Sequence, residues 1–394
     1  MDLSALQAMA ARPGVAALLA ALGPGEARLV GGAVRDGLLG EAVADLDLAT
    51  TLSPYEVMRR CGAAEIRTVP TGIAHGTVTA LAHGETLEVT TLRADLDTDG
   101  RHATVAFTDD WQEDAARRDF TVNALYFDPA TGALFDYFGG VDDLAARRVR
   151  FIGEPLQRIA EDHLRILRFF RFTARFAQAP DPAGLAACVA RANDLMALSR
   201  ERIADEWLKL LGLPDPVPTV GLMLEQGVLL PVLPEIAAGA EARLAALVAA
   251  ERAAGIAPAA LRRLAALIPR DVAVAEKIAA RLKLSNKARK RLAAAADPAR
   301  VGAPRAMAYA LGTEEAQDRL LLADRPREAK ALIGWTPPRL PLGGGQLIAR
   351  GLAAGPVVAR TLKAIERRWV EEEFPEADRL EVITNEELAR ATAS

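Results

Sequence analysis

The chain has 394 residues, 51% of them hydrophobic and 25% charged, with a formal net charge of −4; that is enough for about two to four domains with sizeable cores. The acidic balance argues against a general nucleic-acid coat but not against a local basic surface. Arg, Asp or Glu interrupts every apolar run before the roughly 20 residues of a membrane span. Cys61 and Cys188, the only cysteines, cannot build a disulfide framework, show no zinc spacing and fit a reducing cytoplasm. The N-terminus, MDLSALQAMAARPG, lacks a signal-peptide pattern and is poor in Arg for a transit peptide, so a cytoplasmic location is expected.

Along the chain, Leu3, Leu6 and Met9, then Val15, Leu18, Leu19 and Leu22, predict two short helices before Gly23-Pro24. From Ala27 to about Asp136 the texture becomes β-rich: ARLVGG, DLDLAT, GTVTAL, TLEVTTL, TVAFT and TVNALYFD alternate with Gly, Asp and Thr. That reads as one domain with a sheet. From about Leu156 the periodicity is helical nearly to the end, broken by prolines near 180–182, 214–218, 231–234 and 337–341. No fixed-period repeat is present.

Asp45 and Asp47 flank Leu46 in DLDLAT. On a strand, residues i and i+2 share a face, so the two carboxylates repel each other unless a cation binds. Mg²⁺ prefers such oxygen ligands and bridges substrate phosphates; a solvated edge strand is the competing reading. Upstream, Gly31-Gly32 precedes Val34-Arg35-Asp36. Glycine lets backbone approach a phosphate, and Arg35 can grip triphosphate oxygens. The spacing is neither GxGxxG nor a P-loop. Alternation over 86–92 puts Glu88 on the face opposite Leu87 and Val89, a candidate third carboxylate. Three such carboxylates suit two-metal phosphoryl transfer, one ion activating a hydroxyl and the other neutralising leaving pyrophosphate. In RRDFTVNA, Arg118 can reach the triphosphate and Asn123 a ribose hydroxyl; a basic pair at a helix end is the alternative.

Taken in order, Gly31-Gly32-x-Val34-Arg35-Asp36, Asp45-x-Asp47, EVTTLR, RRDFTVNA and RFIGEPLQRIAEDHLRILRFFRF resemble the class II CCA-adding tRNA nucleotidyltransferases of the DNA polymerase β superfamily. The strong motifs cover about residues 28–210. The resemblance implies an α+β fold: a polymerase-β-like head with a mixed or antiparallel sheet over 1–150, then an all-α neck over 151–230, body over 231–330 and tail over 331–394. It implies addition of CCA to the 3′ end of tRNA from CTP and ATP, without a template, with Mg²⁺ and release of pyrophosphate. Asp45, Asp47 and Glu88 would then be catalytic, the two aspartates holding metal. Gly32, Arg35, Arg118, Asp119 and Asn123 would bind the nucleotide.

EDHLRILRFFRF, 161–172, is a helix by pattern, with Leu164, Leu167 and Phe170 inward and Asp162, Arg165, Arg168 and Arg171 in a polar stripe. As a bare helix this is an Asp162–Arg165 ion pair on a solvated face. The resemblance implies instead that Asp162 and Arg165 read the incoming base. A carboxylate accepts from the amino group of C or A, whereas U and G present a carbonyl there, so a buried polar group goes unpaired. Arg168 and Arg171 would contact the nucleotide phosphates or form the site wall, and His163 would be a helix-surface residue. The polar segment 94–111 resembles the family's flexible loop for switching from C to A, with Arg93 and Arg101 as candidate parts.

RLKLSNKARKRL packs Lys283, Lys287, Arg289, Lys290 and Arg291 together, a cluster suited to the phosphates of a tRNA arm. Gln346 stands where the family often has an acidic residue and is given no role. Two rivals share the scaffold: a bacterial poly(A) polymerase, whose basic-aromatic segment has RTVPTGIAHGTVTA in its place here, and a non-catalytic RNA-binding protein, against which Asp45, Asp47 and Arg35 stand. No His-Asp dipeptide occurs for a metal-dependent phosphohydrolase.

Overall fold

The computed structural model describes residues 2–393 except 44, 99–102, 238, 300 and 301, in two compact units, Met1–Pro234 and Glu235–Ser394. Among its described residues the first unit carries nine strands: β1 (Ala27–Val30), β2 (Leu46–Thr50), β3 (Arg67–Gly72), β4 (Thr77–Ala82), β5 (Glu85–Thr91), β6 (Arg93–Thr98), β7 (Ala103–Phe107), β8 (Leu125–Asp128) and β9 (Ala133–Asp136). Seven form one mixed sheet in the order β3-β4-β5-β2-β1-β8-β9. The β2–β5 pair is parallel and every other pair antiparallel.

The expected alternation is present. Leu46, Leu48, Leu87 and Val89 are buried on one face, while Asp47 and Glu88 point to the other. Helices α1 (Ser4–Ala10), α2 (Pro13–Leu22), α3 (Gly32–Leu38) and α4 (Pro54–Ala63) contribute Leu6, Val15, Leu18, Val34 and Val57 to the core on that apolar face. Proline at a first turn starts α2 and α4, and Ser53 caps α4 by accepting from the Glu56 N–H. A second cluster joins Val30, Ala49 and Tyr126 to Trp111 of α5 (Trp111–Ala116). There the Arg28 guanidinium lies 4.0 Å from the Trp111 ring centroid and 3.8 Å from that of Phe135.

After α6 (Gly140–Ala145), Phe151 pairs with Phe120. The chain then runs through α7 (Pro155–Glu161), α8 (Arg165–Phe176), α9 (Pro182–Ala190), α10 (Arg200–Leu211) and α11 (Val217–Glu225). Phe151 stacks on Phe169 of α8, and Phe120 meets Phe169 tilted and Phe172 edge-on, so the strand-rich part and the first helices share one aromatic core.

Two local expectations are corrected, and one strand adds to those expected. RTVPTG forms an edge strand, β3, despite Pro70 and its exposed positions. Within 94–111, read as a polar loop, β6 and β7 pair as a two-stranded ribbon, β7 taking in most of the β-rich TVAFT. TVN of TVNALYFD is a 3-10 turn, Thr121–Asn123, ahead of β8.

The second unit is helical: α12 (Ala240–Ala254), α13 (Ala260–Leu267), α14 (Val272–Arg281), α15 (Asn286–Ala296), α16 (Pro304–Leu311), α17 (Thr313–Leu322), α18 (Pro326–Lys330), α19 (Gly344–Ala349), α20 (Pro356–Glu371) and α21 (Ala377–Thr392). Leu247, Ala308, Leu320 and Leu332 centre one core; Leu347, Ile365, Trp369 and Ile383 centre another. Asp318 is fully buried and accepts from Arg262 Nε at 2.7 Å and Arg291 Nε at 2.6 Å, while Glu251 accepts from Arg262 and Arg263. Among the described residues no single helix is long and apolar enough to cross a membrane. The fold is α+β, with its seven-stranded mixed sheet in the N-terminal part and helices thereafter.

Candidate active site

β1 ends in a turn that only glycine adopts easily: Gly31 has φ +65° and its N–H donates to Leu125 O at 3.1 Å. Gly32 then opens α3. One turn on, Arg35 is only 4% exposed. Its Nε donates to Asp36 at 2.8 Å, a second N–H donates to Asn123 Oδ1, and its guanidinium lies 4.6 Å from the Phe176 ring centroid. Burial pushes the Arg35 pKa down, with Asp36 opposing. Arg35 thus braces Asn123 at the wall of the cleft.

Asp45 is exposed just before β2, and Asp47 is half-buried within it. The parallel register sets Asp47 opposite Glu88. Burial, then Glu88 and Asp45, push the Asp47 pKa up, against the pull of Arg118. Among the described residues, no group of three or more His, Cys, Asp or Glu side chains is gathered to hold a metal. The pair Asp45 and Asp47 still fits a hard divalent cation: its donors are all oxygen, and its mutual repulsion is what such an ion relieves.

The two arginines before Asp119 are held from behind. Asp114, 1% exposed, accepts from Arg117 Nε at 2.9 Å, Arg118 at 3.0 Å and the Tyr126 hydroxyl at 2.7 Å. Burial alone would raise the Asp114 pKa; Arg118, Arg117 and Tyr126 overcome it and hold the carboxyl well below its ordinary range. Asp119 accepts from Asn123 Nδ2 at 2.9 Å, Arg168 Nε at 2.7 Å and the Phe120 N–H at 2.8 Å. Asp119 thereby ties the 3-10 turn to α8. Sequence reasoning missed Asp114 and Tyr126; the i, i+4 spacing of Asp114 and Arg118 was the available signal.

The predicted helix over 161–172 is broken. α7 ends at Glu161, Asp162 is extended at φ −148° and ψ 107°, and α8 begins at Arg165. Asp162 Oδ1 accepts from the Leu164 N–H at 3.1 Å, which turns the chain out of the helix. Its Oδ2 accepts from Arg202 of α10 at 2.8 Å. Arg165 donates to Glu161 at 2.5 Å, Arg158 O at 2.7 Å and Arg117 O at 2.9 Å. The simple Asp162–Arg165 ion pair is therefore corrected: each has its own partners. Arg171 donates to Glu206 at 2.6 Å, and Arg168 lies 3.5 Å from the same carboxylate. Sequence reasoning also missed Arg202 and Glu206, 40 and 35 residues from their partners. His163 is no surface residue: its side chain is 13% exposed, with Nδ1 2.9 Å from Ile159 O.

These elements enclose a cleft of about 720 Å³. Gly32, Arg35, Asp45, Asp47, Glu88, Arg118, Asp119 and Asn123 line it from the strand-rich part, and Asp162, Arg165, Arg168 and Arg171 from the helices. Arg93, Arg117, Phe172 and Lys209 join them. Among the described residues, seven arginines and a lysine face five carboxylates there, a balance suited to a polyanion beside a cation site. Arg93 also donates to His75 O at 2.9 Å; Arg101 lies outside the described residues.

In the second unit Lys283, Lys287, Arg289 and Lys290 are exposed. Arg291 is the correction: Asp318 and Glu314 engage its guanidinium, so it belongs to the buried ionic cluster. Gln346 caps α19 by accepting from the Gly343 N–H at 2.7 Å.

Two families match parts of the chain: Poly A polymerase head domain over residues 27–150, and Probable RNA and SrmB- binding site of polymerase A over 179–239. Human mitochondrial CCA tRNA nucleotidyltransferase 1 is 50% identical over 192 residues, 47% of this chain and 44% of that protein. The CCA-adding enzyme of Anoxybacillus flavithermus is 40% identical over 214 residues, 54% of this chain and 52% of that protein. The matched region thus spans about half the length of these curated relatives. Over nearly full length, the crystal structure of the Bacillus stearothermophilus CCA-adding enzyme in complex with CTP superposes with a TM-score of 0.72 and 30% identity, covering 93% of this chain and 95% of that one. The chain belongs to the tRNA nucleotidyltransferase/poly(A) polymerase family, the family of the CCA-adding enzymes.

Proposed function

We propose that the protein adds CCA to the 3′ end of tRNA, taking CTP and ATP without a nucleic-acid template and releasing pyrophosphate. One observation carries the reading: the carboxylate pair Asp45 and Asp47 and the pair Asp162 and Arg165 face a single cleft. The relatives' names and the CTP bound by the Bacillus enzyme support it.

Asp45 and Asp47 would hold a divalent cation, Mg²⁺ by their oxygen donors, with Glu88 adding negative charge beside Asp47. When bound, such a cation supplies positive charge for the triphosphate and acidifies the attacking hydroxyl. The tRNA 3′-hydroxyl oxygen bonds to the α-phosphorus as the bond from that phosphorus to the bridging oxygen breaks; the hydroxyl proton passes to solvent and pyrophosphate leaves. Arg118, Arg168 and Arg171 supply fixed positive charge along the triphosphate, each anchored by a carboxylate. Gly32 leaves room for close phosphate approach, and Asn123, held by Arg35 and Asp119, presents an amide to the ribose. Asp162 accepts from the amino group of C or A. Three N–H bonds fix the Arg165 guanidinium, and its remaining donors serve a ring acceptor.

The division into head 1–150, neck 151–230, body 231–330 and tail 331–394 belongs to this reading. So do tRNA contacts by Lys283, Lys287, Arg289 and Lys290. A cytoplasmic site of action fits two buried, free cysteines. The test is incubation of the purified chain with tRNA lacking its 3′ CCA and with an unrelated RNA, each nucleoside triphosphate offered alone and together. The reading expects two C residues from CTP alone and a stop at CCA with ATP added, on tRNA only. Long A tails on either RNA establish the poly(A) polymerase instead; RNA binding without any incorporation establishes a binding protein.

A further inference from the structure

Among the described residues, Asp162 is the one carboxylate that lines the cleft from its helical wall, and no hydrogen bond from its own segment reaches its outer oxygen. The α7–α8 break leaves its backbone extended, and Oδ1 is tied to the Leu164 N–H. A single hydrogen bond to Oδ1 still leaves the carboxylate plane free to turn about it, and Arg202 supplies the second point that fixes the plane. That arginine reaches in from the first turn of α10 and donates to Oδ2 at 2.8 Å. One turn further, Glu206 is 3% exposed and accepts from Arg171 at 2.6 Å. Lys209, seven residues after Arg202 and so on the same helical face, lines the cleft. α10 therefore braces the reading wall from outside, Arg202 holding Asp162 and Glu206 meeting Arg171 and Arg168.

We infer that Arg202 is the positioning residue for Asp162, and that nucleotide selectivity depends on it. The inference rests on the proposed base-reading role of Asp162 and deepens it. With Oδ1 and Oδ2 each accepting one hydrogen bond, the carboxylate is fixed in plane and offers only lone pairs. It welcomes the amino group of C or A and repels the carbonyl of U or G. Without Arg202 the carboxylate rotates. It can turn its charge away from a uracil carbonyl, and a water can enter and bridge the two acceptors. The repulsion that rejects the wrong base is then lost, while the triphosphate contacts through Arg118 and Arg168 remain. Arg202 is 38% exposed at its side chain, so its replacement removes little packing.

The experiment is single-turnover incorporation of CTP, UTP, ATP and GTP on tRNA ending before CCA and on tRNA ending in CC. It compares the unmodified chain with Arg202→Ala, Arg202→Gln and Arg202→Lys. The alanine variant is expected to raise UTP use relative to CTP about ten- to a hundredfold, the range for losing one charge-assisted hydrogen bond. Lysine should restore most of the discrimination and glutamine part of it; the glutamine variant carries the test should the alanine variant fail to fold. Equal slowing of all four nucleotides, with the ratio unchanged in alanine and glutamine variants, overturns the inference and leaves the proposed function standing. No incorporation by the unmodified chain overturns the proposed function, and the inference with it.

Discussion

Asp47 and Glu88 stand side by side in the parallel register of β2 and β5, and the burial of Asp47 beside that second carboxylate raises its pKa. The fold therefore holds an electrostatically unfavourable pair at the mouth of a basic cleft. Such an arrangement has a functional reading and no stabilising one.

Asp47→Ala should abolish nucleotide addition and leave the fold intact. A bound cation contributes several kcal/mol to the transition state, so the rate should fall at least about a thousandfold. The melting temperature without added metal should hold or rise, because a repelled, half-buried carboxylate is removed. Parallel incorporation and melting measurements check both; normal incorporation by a folded variant contradicts the cation-site assignment.

Asp119 predicts the acid limb of stability. Burial would raise its pKa, but Arg168 and Asn123 overcome this and lower it below the ordinary 3.8. Its contribution is thus present above the ordinary value and lost as pH falls through the lowered one. Asp119→Asn should be less stable at neutral pH by about 1–3 kcal/mol and show a flatter decline below about pH 4. Denaturant titrations at several pH values measure the slope, and an unchanged acid limb contradicts the pairing.

Much of the cleft was legible from local pattern. Period-two alternation put Asp47 and Glu88 on the face away from the apolar core, because a strand's faces follow from sequence alone; Asp45, read as part of that strand, lies just before it. The break at Asp162 was not legible: Leu164, Leu167 and Phe170 continue a helical rhythm through it, and the interruption comes from a single side chain bonding two residues ahead. Arg202 and Glu206 were beyond reach because their partners, in the break before α8 and on α8 itself, are distant in sequence. Arg291 misled for a related reason: within a run of exposed basic residues, only the packing of α17 shows that it meets buried Asp318.

That cluster gives a stability prediction. Asp318→Ala leaves Arg262, 3% exposed, with one carboxylate instead of two and strips Arg291 of its buried partner. Breaking a buried pair from one side costs about 3–5 kcal/mol. Calorimetry should show the loss; a variant as stable as the parent contradicts the network.

Lys287 and Lys290 provide the contrasting case, since both are exposed. The double change Lys287→Ala, Lys290→Ala should weaken tRNA binding and reduce the salt dependence of affinity by a log–log slope of about 2. Stability should be unchanged. Filter binding across salt concentrations checks this, and an unaltered slope removes these lysines from the RNA surface.

The central claim is that one cleft both joins nucleotides and chooses them, with Asp162 as part of the chooser. Its most direct test is the ratio of CTP to UTP incorporation by Asp162→Ala under single-turnover conditions, on tRNA ending before CCA. A lost charge-assisted contact with the base predicts a fall in that ratio of about one to two orders of magnitude, beyond any general slowing. A variant that folds and turns over more slowly, yet keeps the parent ratio, would make Asp162 a structural partner of Arg202 alone and contradict the account.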